Sequence, residues 1–192
     1  MSADCSQDFI EQIKTASVDQ KKLRIQGHGS KANWQPPAKS DDVLALSDHA
    51  GILQYEPEEL VLTARAGTTL VEINAVLTER QQMIASEPPQ FSHDMVNHYS
   101  GTDTDSGTLG GAVACGLSGP GRPWLGAIRD AVLGIELING DGEYLKFGGQ
   151  VMKNVAGYDV SRLQAGAWGA LGVMSVISLR VQPCFANEQT LH

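Results

Sequence analysis

One short segment of the chain has the residue types that bind a phosphate group. This glycine loop consists of Gly27, His28, Gly29, Ser30 and Lys31. With Ala32 directly after it, the loop matches the loose form of the dinucleotide fingerprint. It follows a β-like run at residues 23–26, and small residues at the end of a strand let successive backbone N–H groups face an anion. The segment therefore predicts either a pyrophosphate-binding loop or an ordinary turn.

The residues after the glycine loop distinguish two kinds of nucleotide site. A Rossmann site requires a helix directly after the loop and an acidic residue about 20 positions further on, for which Asp48 is the candidate. Pro36 and Pro37 stand where that helix would need its first turns. A nicotinamide-binding Rossmann domain is therefore the unfavoured alternative. If the loop binds phosphate and is not an ordinary turn, it does so without a helix behind it.

Two further stretches of small residues would let a flat ligand approach the backbone. The first covers residues 107–119, and the second carries Gly166, Gly169 and Gly172 at every third position. Small residues leave the backbone accessible because no side chain covers it. The alternatives are close helix packing for the first stretch and a tight turn for the second. Taken alone, the first stretch favours packing.

The other polar residues do not form a recognisable catalytic or metal site. His93 and His98 are five residues apart without an acidic or cysteine cluster, so we predict no bound metal. The sequence has no Gly-x-Ser-x-Gly elbow, no Walker phosphate loop and no Cys-x-x-Cys pair. Within residues 153–159, Lys153 and Tyr158 are candidates for substrate contact, or else a solvated lysine and a packed tyrosine. Catalytic residues stay unassigned.

Composition indicates a folded domain and limits its partners. Of 192 residues, 42% are apolar and 19% are charged, which is typical of a globular protein. The net charge of −8 argues against nucleic acid and against an anionic membrane surface as primary partners. No apolar run reaches the length of a membrane-spanning helix, so we predict no direct membrane span.

The N-terminus and the cysteines indicate the cellular compartment. The N-terminus is polar and acidic, unlike a secretory signal peptide. The 3 cysteines are far apart, which indicates a reducing environment without a disulfide framework. We expect a cytoplasmic protein, and a peripheral position at the inner face of the cell membrane, through a larger complex, stays an open alternative.

Hydrophobic spacing predicts an α+β fold, with strands in clusters and helices between them. Thr68 or Thr69 is expected to cap one helix, since Glu72 completes a capping box with Thr69. The predicted helices cover residues 8–16, 68–80, 108–117 and 159–164. The predicted strands cover residues 23–26, 43–46, 51–55, 60–66, 131–138, 144–147 and 173–181.

The order of these segments resembles the FAD-binding domain of the vanillyl-alcohol oxidase type, also called the PCMH fold. The resemblance implies FAD held between two subdomains, each a small β-sheet with flanking helices. The matching strings are a first pyrophosphate loop at residues 23–31, a strand and helix start at 62–70, a second flavin segment at 108–111, and the turn into the last strand at 169–173.

Three longer strings narrow the resemblance to the FAD-binding subunits of bacterial glycolate oxidase. They lie at residues 112–120, 122–124 and 147–159, and the likeness extends from about residue 20 to residue 183. It implies a flavoprotein oxidoreductase complex that oxidises glycolate to glyoxylate and passes electrons through FAD to an acceptor. The implied partners are a second FAD-containing subunit, an iron–sulfur subunit and a small 2-hydroxy acid as substrate.

The resemblance also assigns cofactor contacts. The glycine loop would cradle the pyrophosphate, and Val173 and Val176 would present backbone near the adenine. The flavin is expected to be non-covalently bound, because relatives with a histidyl linkage have histidine at the place that Ser30 occupies here. The residues that would line the flavin are Pro88, Thr108, Leu109, Gly110, Gly111 and Gly116.

The domain organisation follows from the same resemblance. An N-terminal helix at residues 1–18 precedes an FAD-binding domain at 19–183, whose subdomains lie at about 19–87 and 107–183. Residues 184–192 form a tail toward a cap domain that the sequence lacks, so the isolated chain is not expected to turn over substrate alone. Residues 90–106 are longer than the corresponding link of the family.

The sequence leaves three candidate functions. The leading one is the FAD-binding subunit of a glycolate oxidase. The second is the FAD-binding domain of another 2-hydroxy-acid dehydrogenase of the D-lactate type. The third is a truncated subunit with a structural role and no catalysis of its own.

Overall fold

The computed structural model describes residues 4–31, 39–89, 107–149 and 157–186. Short strands run through all four of these ranges. They are β1 (Leu23–Gln26), β2 (Asp42–Ala45), β3 (Ile52–Glu56), β4 (Val61–Arg65), β5 (Gln82–Met83), β6 (Val132–Ile138), β7 (Tyr144–Gly148), β8 (Val173–Arg180) and β9 (Gln182–Pro183).

The helices are short except at the N-terminus, and none of those described has the length and apolar character that a bilayer crossing demands. Helix ends follow local chemistry, since Thr69 and Thr108 cap two of the helices with their hydroxyl groups. The helices are α1 (Ser6–Val18), α2 (Leu70–Thr78), α3 (Leu109–Cys115), α4 (Arg122–Leu125), α5 (Ile128–Ala131) and α6 (Val160–Leu163).

A five-stranded antiparallel sheet with the order β3-β4-β8-β6-β7 is the centre of the fold. Strand β8 lies in its middle, and seven of its eight residues are buried. Because successive side chains of a strand point to opposite faces, this pattern means that both faces are covered at β8. Helix α1 contributes Phe9 and Ile13 to the same hydrophobic core.

Two smaller sheets flank the central one. Strands β1 and β2 pair in parallel, and the glycine loop begins where β1 ends. Strands β5 and β9 pair antiparallel and bring the chain after β8 back against residues 81–83. The parallel pair is thus a separate two-stranded sheet, and the glycine loop follows its first strand.

The predicted α+β class is confirmed, and most predicted elements form. The helix predicted over 108–117 ends at Cys115, because Gly116 adopts a left-handed backbone conformation (φ 65°) and stops it. The helix predicted to reach residue 80 ends at Thr78. The β5–β9 pair was not predicted, since strands of two residues have no detectable period, and the single-turn helices α4 and α5 were not predicted either.

The central sheet takes strands from both sides of the predicted subdomain boundary. Strands β3 and β4 lie within residues 19–87, whereas β6, β7 and β8 lie within 107–183. Of the strands assigned to the first subdomain, only β1 and β2 form a sheet of their own. The domain boundaries themselves stay a prediction.

A buried histidine joins the N-terminal helix to the sheet. His49 has no exposed surface, and its Nδ1 accepts a hydrogen bond from the Cys5 N–H at 3.0 Å. Its Nε2 lies 2.9 Å from the Ser175 Oγ, which lies 2.8 Å from the Ser6 Oγ. Since Nδ1 accepts, Nε2 carries the proton and donates to Ser175. Burial lowers the pKa of His49, so the ring is neutral.

This arrangement predicts loss of stability in acid. Between the ordinary histidine pKa of about 6.5 and the lowered folded value, the unfolded chain binds a proton that the folded chain does not. The free energy of unfolding should therefore fall with decreasing pH, by at most about 1.4 kcal/mol per pH unit from this residue. Denaturant melts of wild type and His49→Gln across that range check it. A stability difference between the two that does not change with pH would contradict the assignment.

Candidate functional site

A cavity lies where three backbone segments meet. One wall is the glycine loop, the second is the start of α3, and the third is the turn that leads into β8. The turn contributes Trp168, Gly169 and Gly172, and Met174 follows from β8. The structure thus brings together the three glycine-rich segments that the sequence analysis considered one by one. Of the predicted cofactor residues, those lining the cavity are Gly27, His28, Gly29, Ser30, Lys31, Thr108, Gly110 and Gly111.

The glycine loop has backbone N–H groups that no described residue uses. Among the hydrogen bonds of the described residues, none uses the N–H of Gly27, Gly29 or Ser30. A Cβ at position 27 would collide with the Thr108 side chain, so only glycine lets the loop lie this close to the start of α3. Gly29 has φ 76°, which a residue with a side chain rarely adopts. Backbone N–H groups that lie beside a cavity without a partner among the described residues suit an anionic ligand.

The N–H groups at the start of α3 are already used by the protein. The Leu109 N–H donates to the Thr68 carbonyl and the Gly110 N–H to the Ala66 carbonyl, both at 2.8 Å. The Gly111 N–H donates to the Thr108 Oγ1 at 3.1 Å. The start of α3 therefore shapes the cavity wall, and its first N–H groups are already bonded within the protein.

The two adjacent glycines of α3 have different surroundings. A Cβ at Gly110 would lie 2.8 Å from the Ala66 Cβ and 3.0 Å from the Ala66 carbonyl oxygen. A Cβ at Gly111 would meet only the Thr108 Oγ1, at 3.1 Å. Gly110 therefore packs against Ala66, whereas the missing side chain of Gly111 leaves space in the cavity. Close packing thus applies to Gly110, whereas ligand approach at Gly111 stays a prediction.

Lys31 places a cation in the cavity wall. It is 7% exposed, and its Nζ lies 3.4 Å from the Ser30 Oγ. Burial lowers the pKa of Lys31, and burial also raises the pKa of the nearby Cys115 thiol to about 11. The thiol is therefore neutral at physiological pH. An anionic ligand in this cavity would offset the burial cost of the ammonium group.

The other predicted cofactor residues do not line this cavity. Leu109 is fully buried in the core, and Gly116 is an exposed residue at the end of α3. Val173 and Val176 are buried within β8, and Pro88 is half-buried after β5. Their predicted contacts with the flavin or adenine stay predictions. The candidate metal residues His93 and His98, and the candidate contact Lys153, lie outside the described residues.

Several lining residues were not predicted. Trp168 lies between Gly166 and Gly169, in the segment whose glycine spacing predicted a turn. That spacing does not indicate a role for the residues between the glycines. Cys115 and Met174 are ordinary apolar residues of a helix and a strand. Their place in the cavity depends on tertiary packing, so no sequence signal could have found them.

Comparison with known proteins identifies the family. A model described as "FAD binding domain" matches residues 2–148, more than half of the chain. The chain belongs to the FAD binding domain family. FAD is thus its cofactor. A ligand with a pyrophosphate and flat rings fits this cavity. It would meet the N–H groups that no described residue uses, the buried Lys31, and the space left by the missing side chain of Gly111.

Three relatives illustrate the range of similarity. Glycolate oxidase subunit GlcE of Escherichia coli is 49% identical over 180 residues, which are 94% of this chain and 48% of that protein. Glycolate oxidase subunit GlcD of Bacillus subtilis is 24% identical over 81% of this chain and 30% of its own length. D-lactate dehydrogenase of Archaeoglobus fulgidus is 23% identical over 93% of this chain and 37% of its own length. The chain spans about half the length of the first of these relatives and less of the others.

The contrast between the adjacent glycines predicts opposite outcomes for the same substitution. Gly111→Val should abolish FAD retention while the far-UV CD spectrum stays unchanged, because the new side chain occupies ligand space. Gly110→Val should lower the free energy of unfolding by about 1–3 kcal/mol through overpacking against Ala66. The flavin-to-protein ratio and a thermal melt of both variants measure this. Full FAD occupancy in a folded Gly111→Val variant would refute the contact.

Proposed function

We propose that this chain binds FAD non-covalently in the cavity, with the pyrophosphate on the glycine loop. The observation that carries the proposal is the row of N–H groups at Gly27, Gly29 and Ser30, which no described residue uses. Each would donate a hydrogen bond to a phosphate oxygen. In a chain with a net charge of −8, such local donors are needed to bind an anionic cofactor.

The side chains around the loop have separate tasks in this proposal. The Lys31 ammonium group balances the charge of the pyrophosphate from within the wall, which would raise its lowered pKa. Gly111 lets a ring or its linker lie against the backbone of α3. When bound, FAD supplies the redox chemistry, accepting a hydride equivalent at N5 and passing electrons onward. The protein residues bind and orient it.

We further propose that the chain is the FAD-binding subunit, or part of the subunit, of a glycolate oxidase complex. The support is its 49% identity over 94% of its length to a glycolate oxidase subunit. In this role it would join a second FAD-containing subunit and an iron–sulfur subunit that together convert glycolate to glyoxylate.

A D-lactate-type dehydrogenase is the second candidate. Its support is the similarity to the D-lactate dehydrogenase of Archaeoglobus fulgidus, at 23% identity against 49% for the glycolate oxidase subunit. Both candidates use the same FAD site and differ in the 2-hydroxy acid. We therefore favour glycolate.

Titration of the apoprotein with FAD tests the binding proposal. We expect a saturable, near-equimolar complex whose flavin passes into the supernatant on acid precipitation, because Ser30 offers no histidyl linkage. Separate addition of glycolate and of D-lactate, with an artificial electron acceptor and the co-purified partner chains, tests the substrate. A protein that stays colourless and does not bind added FAD contradicts the FAD-binding proposal. Turnover of D-lactate but not of glycolate contradicts the glycolate oxidase proposal.

A further inference from the structure

Trp168 has an unusual backbone conformation in the wall of the cavity. It lies in the turn between α6 and β8 and has φ 54°, in the left-handed region that residues with side chains rarely adopt. Gly166 and Gly169, on either side, share this region with φ 85° and 77°. Strained residues of this kind persist where the surrounding structure holds them, and they cluster at ligand sites.

The end of α3 holds the turn in place. The Gly166 N–H donates to the Val113 carbonyl at 3.1 Å, and the Trp168 N–H donates to the Ala114 carbonyl at 2.9 Å. On the other side, a Cβ at Gly169 would touch the Ile25 side chain at 3.3 Å, so the turn also packs on β1. Trp168 is thus fixed between the strand that ends in the glycine loop and the helix that carries Gly111.

The indole is the one aromatic ring among the described residues that line the cavity, apart from the imidazole of His28. It is half-buried, and no ring of the described residues stacks on it. The cavity lining also includes small or aliphatic residues such as Gly27, Ala114 and Met174. A rigid aromatic face beside a nucleotide site stacks well on a flat heterocycle of any identity.

We propose that Trp168 is a binding residue whose indole stacks on one of the two aromatic ring systems of FAD. The inference rests on the proposed function, since it requires FAD in this cavity. It explains why a large aromatic residue occupies a backbone conformation that suits glycine or asparagine. The hydrogen bonds from the turn to α3 hold the strained backbone so that the ring faces the ligand.

Substitutions at position 168 separate stacking from a structural role. Trp168→Leu should weaken FAD binding by on the order of tenfold, whereas Trp168→Phe keeps most of the affinity because it keeps a ring. Trp168→Asn should raise the melting temperature, since asparagine tolerates the left-handed conformation, and still weaken FAD binding. Trp124→Leu is the matched control, because Trp124 is 83% exposed and does not line the cavity.

Flavin fluorescence and calorimetry of the whole chain with FAD, ADP and FMN measure the outcome. A loss of ADP affinity in Trp168→Leu assigns the stack to the adenine, and a loss of FMN affinity assigns it to the isoalloxazine. Wild-type affinity for FAD in both the Leu and the Asn variants would overturn the inference. An equally large loss of FAD affinity in Trp168→Phe and Trp168→Leu would also overturn it. If the wild-type chain does not bind FAD, the proposed function is wrong.

Discussion

The site depends on the hydrogen bonds between the start of α3 and the segment that joins β4 to α2. The Ala66 and Thr68 carbonyls accept the first N–H groups of α3, and the Leu70 N–H donates back to the Gly107 carbonyl. This pairing ties two capped helix starts to the end of β4, an inner strand of the central sheet. It fixes the cavity wall but uses the donors that a helix start would otherwise offer to a phosphate. In the proposed function, anion binding therefore falls to the glycine loop.

Charge imposes a second constraint. The protein is acidic, with a net charge of −8, yet its proposed ligand is an anion. Unused N–H groups attract phosphate oxygens without adding a formal charge, and the buried Lys31 adds a single positive charge within the wall. A short-range site of this kind binds a pyrophosphate without a basic surface that would also attract nucleic acid.

Local patterns predicted most of the elements, because caps, hydrophobic spacing and hairpin turns are encoded within a few residues. Thr69 caps α2 as its spacing with Glu72 predicts, and the hairpin of β6 and β7 forms around residues 139–143. The candidate site was only partly predictable. The glycine segments marked its walls, but the different surroundings of Gly110 and Gly111, and the inclusion of Trp168, arise from contacts between distant segments.

The most direct test of the account is an NMR titration of the isotopically labelled chain with FAD, following the backbone amide shifts. The account predicts the largest downfield shifts at Gly27, Gly29 and Ser30, where N–H groups that no described residue uses would gain phosphate oxygens. The Gly110 N–H, already bonded to the Ala66 carbonyl, should shift little. Large shifts at the start of α3 with an unchanged glycine loop would contradict the central claim that this loop binds the pyrophosphate.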